Sequence, residues 1–167
     1  MTTESFARSP NNLNFRSVSI IFTITIVPII GLGLSYGFAG FHCPDPRLTG
    51  ILPFVLGSAV GYLTAKAASR ADLRNEMPFV AVCAGAGALA FYISWVAFFY
   101  AGSHQIIWAP TELLSDMHAF AQSGWKYEGA FGHESHLAGL QLEALWLLEA
   151  CVVLAVSGCF GYNMADY

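Results

Sequence analysis

The stretch from Pro78 to Ala101, PFVAVCAGAGALAFYISWVAFFYA, decides the fold class of this chain. It contains no Asp, Glu, Lys or Arg, and a helix of this length crosses a hydrocarbon core that is about 30 Å thick. The stretch lacks the two-residue alternation of a barrel strand, and backbone polar groups must be satisfied internally in lipid. It therefore predicts a transmembrane helix.

Three further apolar stretches of similar length occur in the chain, at 18–39, 48–65 and 137–162. The whole chain of 167 residues is 56% hydrophobic and only 11% charged, whereas soluble domains are about 25% charged. This composition excludes a disordered chain and a nucleic-acid binder with a basic stripe. We predict an all-α integral membrane protein whose membrane domain, residues 18–162, is a four-transmembrane-helix bundle.

The basic residues predict how the chain is oriented in the bilayer. Short cytoplasmic loops carry an excess of Lys and Arg. Five basic residues lie before the first span or between the second and third, and two lie on the other side, so we expect both termini to be cytoplasmic. Residues 1–17 form the cytoplasmic tail in this prediction, and the membrane is a plasma membrane or a bacterial inner membrane. The five are Arg8, Arg16, Lys66, Arg70 and Arg74, and the two are Arg47 and Lys126.

Small residues at four-residue spacing predict where the helices touch. Gly33 and Gly37 in the first span, and Gly57 and Gly61 in the second, have this spacing. Helices in lipid associate through close backbone approach, which small residues allow. We expect these glycines to pack inside the bundle. The alternative is that the same faces form a homo- or hetero-oligomer within the bilayer.

The connection between the third and fourth spans, residues 102–136, is the only sizeable part outside the predicted bilayer. From Pro110 onward it has a helical apolar pattern, which predicts a short amphipathic helix on the membrane surface. A helix that caps the bundle without a ligand and a partner-binding platform are the two alternatives. The apolar face consists of Leu113, Leu114, Met117, Phe120 and Ala121.

All five histidines fall on the predicted outer side, and His133 and His136 are the closest pair. On a helix, residues three apart share a face, so both imidazoles would reach one zinc or copper ion. The spacing matches no established metal motif. We therefore predict no cofactor and keep this pair as the candidate metal site.

The fourth span carries two acidic residues, Glu143 and Glu149. If the span begins near Leu137, Glu149 lies about 18 Å along the helix, close to the membrane midplane. An acid at that depth is costly, so it should face the bundle interior, and it is a functional candidate. Six residues separate the two carboxylates by about 240° of helix rotation, so we do not expect them to form an acid pair.

Polar groups on the neighbouring helices are the expected partners of Glu149. By estimated depth these are Tyr92 and Ser94 on the third span and Ser58 on the second. Three roles are open for Glu149: a structural polar clasp, proton or cation translocation, or pairing with a basic residue of another subunit. The candidate intramembrane functional residues are Glu149, Glu143, Trp146 and Tyr92.

The chain has no nucleotide loop, nucleophile signature or dense ligand motif, which favours a non-enzymatic protein. The first hypothesis is a structural or interaction subunit of a membrane assembly, with the lipid bilayer and other membrane helices as partners and no role for nucleic acid. The second is a proton- or cation-coupled transporter or channel that uses Glu149. The third is a metal-binding redox protein that uses the outer histidines.

Overall fold

A computed structural model of the chain describes residues 15–42, 46–70, 76–128 and 134–165. Five helices and one two-stranded hairpin make up this part of the chain. In chain order they are α1 (Phe15–His42), α2 (Pro46–Arg70), α3 (Glu76–Ser103), α4 (Pro110–Ser123), β1 (Trp125–Glu128), β2 (Glu134–Leu137) and α5 (Leu140–Ala165).

Four of the described helices are long and apolar enough to cross a membrane. The stretches that meet this condition are Thr23–His42, Gly50–Arg70, Met77–Ser103 and Leu140–Asn163. The prediction of an all-α chain with four such helices is confirmed at this level. The short helix α4 lies between the third and fourth of them.

The segment before α5 differs from the prediction. Residues 134–137 form strand β2, which pairs antiparallel with β1 so that Trp125 faces Leu137 and Lys126 faces His136. The expected start of the fourth span at Leu137 is therefore wrong, and the helix begins at Leu140. Gly139 separates strand from helix with φ of 57°, a conformation that glycine adopts without the steric penalty of a Cβ.

The long helices are arranged in a ring in the order α1, α3, α5, α2. Helices α2 and α3 also touch across the shorter diagonal of this ring, whereas α1 and α5 face each other across the longer one. Large apolar side chains such as Val27, Leu147 and Leu148 remain exposed on the outer surface of the helices. The interior along the longer diagonal is where the bundle has room for a site.

Glycines set the contact between α1 and α3. A Cβ atom at Gly33 would lie 2.6 Å from the carbonyl oxygen of Ala90, and Gly37 lies against the backbone of Ser94 in the same way. The two helices run parallel, because the residue numbers at successive contacts rise along both helices, from Gly33 with Ala90 to Gly37 with Ser94. The missing side chains allow the two backbones to meet directly.

A second glycine contact joins α2 to α5. A Cβ atom at Gly57 would lie 3.0 Å from the carbonyl oxygen of Val153, and one at Gly61 would lie 2.9 Å from Cα of Ser157. This pair is parallel for the same reason. All four glycines singled out from the sequence thus pack against a neighbouring helix of the same chain.

The two ends of the bundle have different cores. We call residues 104–139, which connect α3 to α5, the cap. At the cap end, an aromatic cluster consists of Trp95, Val96, Phe98, Leu113, Ala121, Leu142 and Trp146. At the far end, where α2 leads into α3, a small-residue cluster consists of Ala65, Ala67, Ala68, Phe79 and Cys83.

The cap rests on the aromatic cluster through α4. Leu113 and Ala121 of α4 are buried in that cluster. The backbone N–H of Gly139 donates to the carbonyl oxygen of Ala121 at 2.7 Å, which ties the end of α4 to the start of α5. The cap is therefore packed onto the cap end of the bundle rather than lying apart from it.

Candidate functional site

Glu149 lies inside the bundle. It is the tenth residue of α5, about 14 Å from the start of the helix at 1.5 Å per residue, and only 7% of its side chain surface is exposed. No other Asp, Glu, Lys, Arg or His is buried in the part of the chain that the structure describes. An ionisable group in this position needs a partner or water, because a low-dielectric interior disfavours an isolated charge.

Tyr36 of α1 supplies the partner. Its hydroxyl donates to Oε2 of Glu149 at 3.4 Å, which is longer than the roughly 2.5–3.0 Å of most O–H···O hydrogen bonds. Since α1 and α5 face each other across the longer diagonal, this contact spans the interior of the bundle. The carboxyl group keeps further lone pairs with which it can accept from a second partner.

A cavity borders the Glu149 carboxyl group. It has a volume of about 40 Å³ for water-sized molecules, and one water needs roughly 10–15 Å³ by this measure, so about three waters fit. We call it the aromatic cavity, because five of its lining residues carry aromatic rings. The lining residues are Tyr36, Gly37, Gly40, Leu52, Ser94, Trp95, Phe98, Trp125, Trp146 and Glu149.

The lining explains why the space stays open. Gly37 and Gly40 present no side chain from α1. On the other side Trp95 and Trp146 meet edge to face with ring centroids 4.7 Å apart, a geometry that aromatic pairs prefer. The two rings stabilise each other beside the gap that the glycines leave.

The cavity extends from Glu149 to the cap. Trp125, the first residue of β1, lines it, and its ring centroid lies 6.1 Å from that of Phe98 on α3. The cavity is partly open rather than sealed. Trp125 therefore lies at the end of the cavity that faces the cap.

One polar atom at the cavity has no protein partner. The indole N–H of Trp95 is buried without a hydrogen bond within the described residues. Buried donors are nearly always satisfied by protein or water. A water in the aromatic cavity can accept from Trp95 while it donates to Glu149 or to Ser94, which gives it the two to four partners that a stable buried water needs.

Tyr36, and not Tyr92, is the tyrosine that contacts Glu149. Tyr92 is one of the three partners expected from the sequence, but its hydroxyl donates to the backbone carbonyl of Trp108 in the cap. It sits two residues before Ser94, about 200° away around α3, and so it faces the cap while Ser94 faces the cavity. Tyr36 was not singled out, since only the arrangement of the helices reveals that α1 lies opposite Glu149.

Ser94 and Trp146 both line the aromatic cavity. The Ser94 hydroxyl donates to the carbonyl oxygen of Phe91 at 2.6 Å within its own helix. Trp146 lies one turn before Glu149 on α5 and is buried in the aromatic cluster. Ser58, the third expected partner, is not among the residues that line the cavity.

Glu143 lies in a different environment from Glu149. Because α5 begins at Leu140, Glu143 is in its first turn, where an acidic side chain interacts favourably with the helix dipole. Nδ1 of His118 on α4 lies 2.8 Å from its Oε1, and a third of the Glu143 side chain is exposed. The two acids of α5 are thus separate, one joined to the cap and one inside the bundle.

One member of the histidine pair is described. His136 lies on strand β2, next to Gly124, and not in a helix. His133 falls outside the described residues, so the metal site predicted for the pair stays a prediction. Among residues 15–42, 46–70, 76–128 and 134–165, no three His, Cys, Asp or Glu side chains are grouped to hold a metal.

A buried carboxyl group that meets water on one side can bind and release a proton or a small cation. This is the chemistry that the arrangement of Glu149, Tyr36 and the aromatic cavity allows. Comparison of the chain with protein-family models, curated proteins and solved structures finds no match. The contacts of the chain itself are the basis on which its function is proposed.

Proposed function

We propose that this chain is a multi-pass membrane protein in which Glu149 binds a proton or a small cation, as the binding step of proton- or cation-coupled transport. One observation carries the proposal. Glu149, the single buried residue among the Asp, Glu, Lys, Arg and His of the described chain, borders a cavity that holds about three waters and leads toward the cap. Ionisable residues inside membrane helices are rare, and they mark substrate and ion pathways and proton relays.

The helix surfaces support insertion into a bilayer. Side chains such as Val27, Leu147 and Leu148 are more than half exposed, and an apolar surface of this extent is unfavourable in water. With both termini in the cytoplasm, as the basic residues predict, the cap lies outside. Protons or cations then reach Glu149 from the outer side.

The exposed apolar residues of the cap fit the same orientation. Leu114 on α4 and Trp108 just before it are both more than 60% exposed. Aromatic and aliphatic side chains of this kind favour the headgroup region of a bilayer. In the proposal, α4 lies at the outer membrane surface with Leu113 packed on the bundle and Leu114 toward lipid.

Two contacts favour transport over the structural-subunit hypothesis. Gly33, Gly37, Gly57 and Gly61 are occupied by helices of the same chain, so these faces are not free to bind another subunit. Glu149 has Tyr36 as a partner within the chain, so it needs no basic residue from elsewhere. Oligomer formation through other faces, and a metal site that includes His133, stay predictions.

Proton flux into liposomes tests the proposal. The purified protein is reconstituted with a pH-sensitive dye inside, and a potassium diffusion potential, negative inside, draws protons inward. We expect acidification faster than in protein-free liposomes, and we expect Glu149→Gln to reduce it to the protein-free rate. The amide keeps the shape of the side chain but cannot take up the proton.

Glu143→Gln is the matched control, since Glu143 is the other acid of α5 and lies at the cap surface. We expect this variant to retain the flux of the unmodified protein. Absence of flux in the unmodified protein contradicts the proposal, and so does unchanged flux in Glu149→Gln. An equal loss of proton flux in both variants would show that the flux does not depend on the buried position of Glu149.

A further inference from the structure

The ionisable groups that line the aromatic cavity are acidic and not basic. Among the described residues that line it, Glu149 is the only carboxylic acid, and this set contains no Lys, Arg or His. When the carboxyl group is ionised, the site is therefore negative with no cation of its own to balance it. Such a site attracts a positively charged ligand.

The walls of the cavity suit an organic cation rather than a hydrated metal ion. The rings of Tyr36, Trp95, Phe98, Trp125 and Trp146 line it. Aromatic faces attract cations within about 6 Å of the ring centre, and tryptophan does so most strongly. An organic cation with delocalised charge gives up its water more readily than a compact hydrated ion.

The polar groups of the cavity offer acceptors. The Tyr36 hydroxyl already donates to Glu149, and the Ser94 hydroxyl already donates to the carbonyl oxygen of Phe91. Both oxygens therefore keep lone pairs for a donor, as does the carboxylate itself. A ligand that brings several N–H donors complements these three acceptors.

The size of the cavity limits the ligand to a few non-hydrogen atoms. Its volume of about 40 Å³ for water-sized molecules admits about three waters. A guanidinium ion, with one carbon and three nitrogens in a plane, is of this size. Its planar N–H groups match a carboxylate in a two-point contact and its faces stack on aromatic rings.

We propose that the aromatic cavity is a binding site for a small guanidinium-class organic cation, held by the Glu149 carboxylate and by the surrounding aromatic rings. This inference rests on the proposed function and names the substrate class of the same site. The cation and the proton compete for one carboxyl group, so binding of one releases the other. That competition is the basis for coupling the two.

The competition gives a sign for the pH dependence. The cation binds the ionised carboxyl group, so its affinity decreases as pH falls and protons occupy Glu149. Tyr36 on α1 is the only other titratable side chain that lines the cavity; α2, α3 and the cap contribute Leu52, Ser94, Trp95, Phe98 and Trp125, which carry no charge. Glu143, on α5 itself, is paired with His118 at the surface.

Guanidinium and urea provide a matched pair of probes, because both are planar, have four non-hydrogen atoms and differ in charge. The full chain in detergent is titrated with each at millimolar concentration, far below the molar range in which they denature proteins. Binding is followed by tryptophan fluorescence, since Trp95, Trp125 and Trp146 line the site. We expect a saturable change with guanidinium and none with urea.

Four variants locate the binding. We expect Glu149→Gln to weaken guanidinium binding about tenfold or more, because a charge-assisted contact is lost, and Glu143→Gln to leave it unchanged. Trp125 stands at the cap end of the cavity and is half-buried, so it tolerates substitution better than the core rings. We expect Trp125→Leu to weaken binding about threefold to thirtyfold and Trp125→Phe to weaken it less.

Equal responses to guanidinium and urea would overturn the inference, and so would unchanged binding in Glu149→Gln. Proton flux that depends on Glu149 without any guanidinium binding would overturn the substrate class and leave the proposed function standing. Saturable guanidinium binding that needs Glu149, with no flux of protons or of guanidinium in liposomes, would retain the site and overturn transport.

Discussion

The two ends of the bundle are filled by different side chains, mostly aromatic rings at the cap end and mostly small residues around Phe79 at the far end. At the far end, small side chains such as Ala65, Ala68 and Cys83 are fully buried. At the cap end, the rings of Trp95 and Trp146 fill the core between the helices, next to the cavity that borders Glu149. Both ends use the same four helices.

The difference shows how side-chain volume decides where a site forms. Small residues let backbones approach and exclude water, which makes a tight contact without polar demands. At the cap end Gly37 also lets α1 meet α3 directly, and a gap remains beside that contact, lined by large rings such as those of Trp95 and Trp146. The one buried acid lies where that gap is, and the far end carries none within the described residues.

The largest effect is expected from filling a close contact at the far end. Gly61→Leu places a side chain where even a Cβ would lie 2.9 Å from Cα of Ser157. We expect it to lower the free energy of unfolding by about 3 kcal/mol, at the upper end of what overpacking costs. Thermal unfolding in detergent, followed by circular dichroism, measures the change.

Gly85→Leu is the control for Gly61→Leu, because Gly85 on α3 is exposed and a Cβ atom added there would meet nothing within 4 Å. We expect its stability to stay within about 0.5 kcal/mol of the unmodified protein. Equal destabilisation by both substitutions would contradict this account, because the loss of stability would then not come from close packing at the far end.

A smaller effect of opposite sign is expected at the cap end. Glu149→Leu replaces the buried acid with an apolar side chain of similar size. We expect it to stabilise the bundle by about 1 kcal/mol, because a group kept for function is commonly a cost to stability. The same unfolding experiment measures it, and a loss of stability would show that Glu149 acts as a structural clasp with Tyr36.

The smallest effect is expected from the buried hydroxyl at the α2–α5 contact. Ser157 Oγ lies 2.6 Å from the carbonyl oxygen of Val153 and 3.2 Å from that of Gly57. We expect Ser157→Ala to destabilise the protein by about 0.6 kcal/mol, the average for a hydrogen bond between membrane helices. A loss several times larger would mean that polar contacts, and not close packing, hold the far end together.

The helices could be predicted from the sequence because lipid allows few alternatives. A long stretch without charge, such as Pro78–Ala101, has to satisfy its backbone internally, and α3 spans it. The hairpin could not be predicted in this way. Its strands have four residues each, which is too few for a two-residue alternation to stand out. Only Ala138 and Gly139 separate β2 from α5.

The candidate site could be predicted only in part. Glu149 stands out because an acid in an apolar helix is rare, and it is buried. Its partner Tyr36 depends on which helices face each other across the bundle, and depth along a helix does not give that information. The same limit applies to Glu143, whose contact with His118 requires the position of α4.

The central claim is that Glu149 exchanges its proton with water in the aromatic cavity, and infrared difference spectroscopy tests it most directly. Spectra recorded between acidic and alkaline pH report the carbonyl stretch of a protonated carboxyl group, and transfer to D2O reports its access to water. We expect a band that disappears as pH rises, shifts rapidly in D2O, is missing in Glu149→Gln and is retained in Glu143→Gln. A Glu149 band that neither titrates nor shifts in D2O would contradict the account.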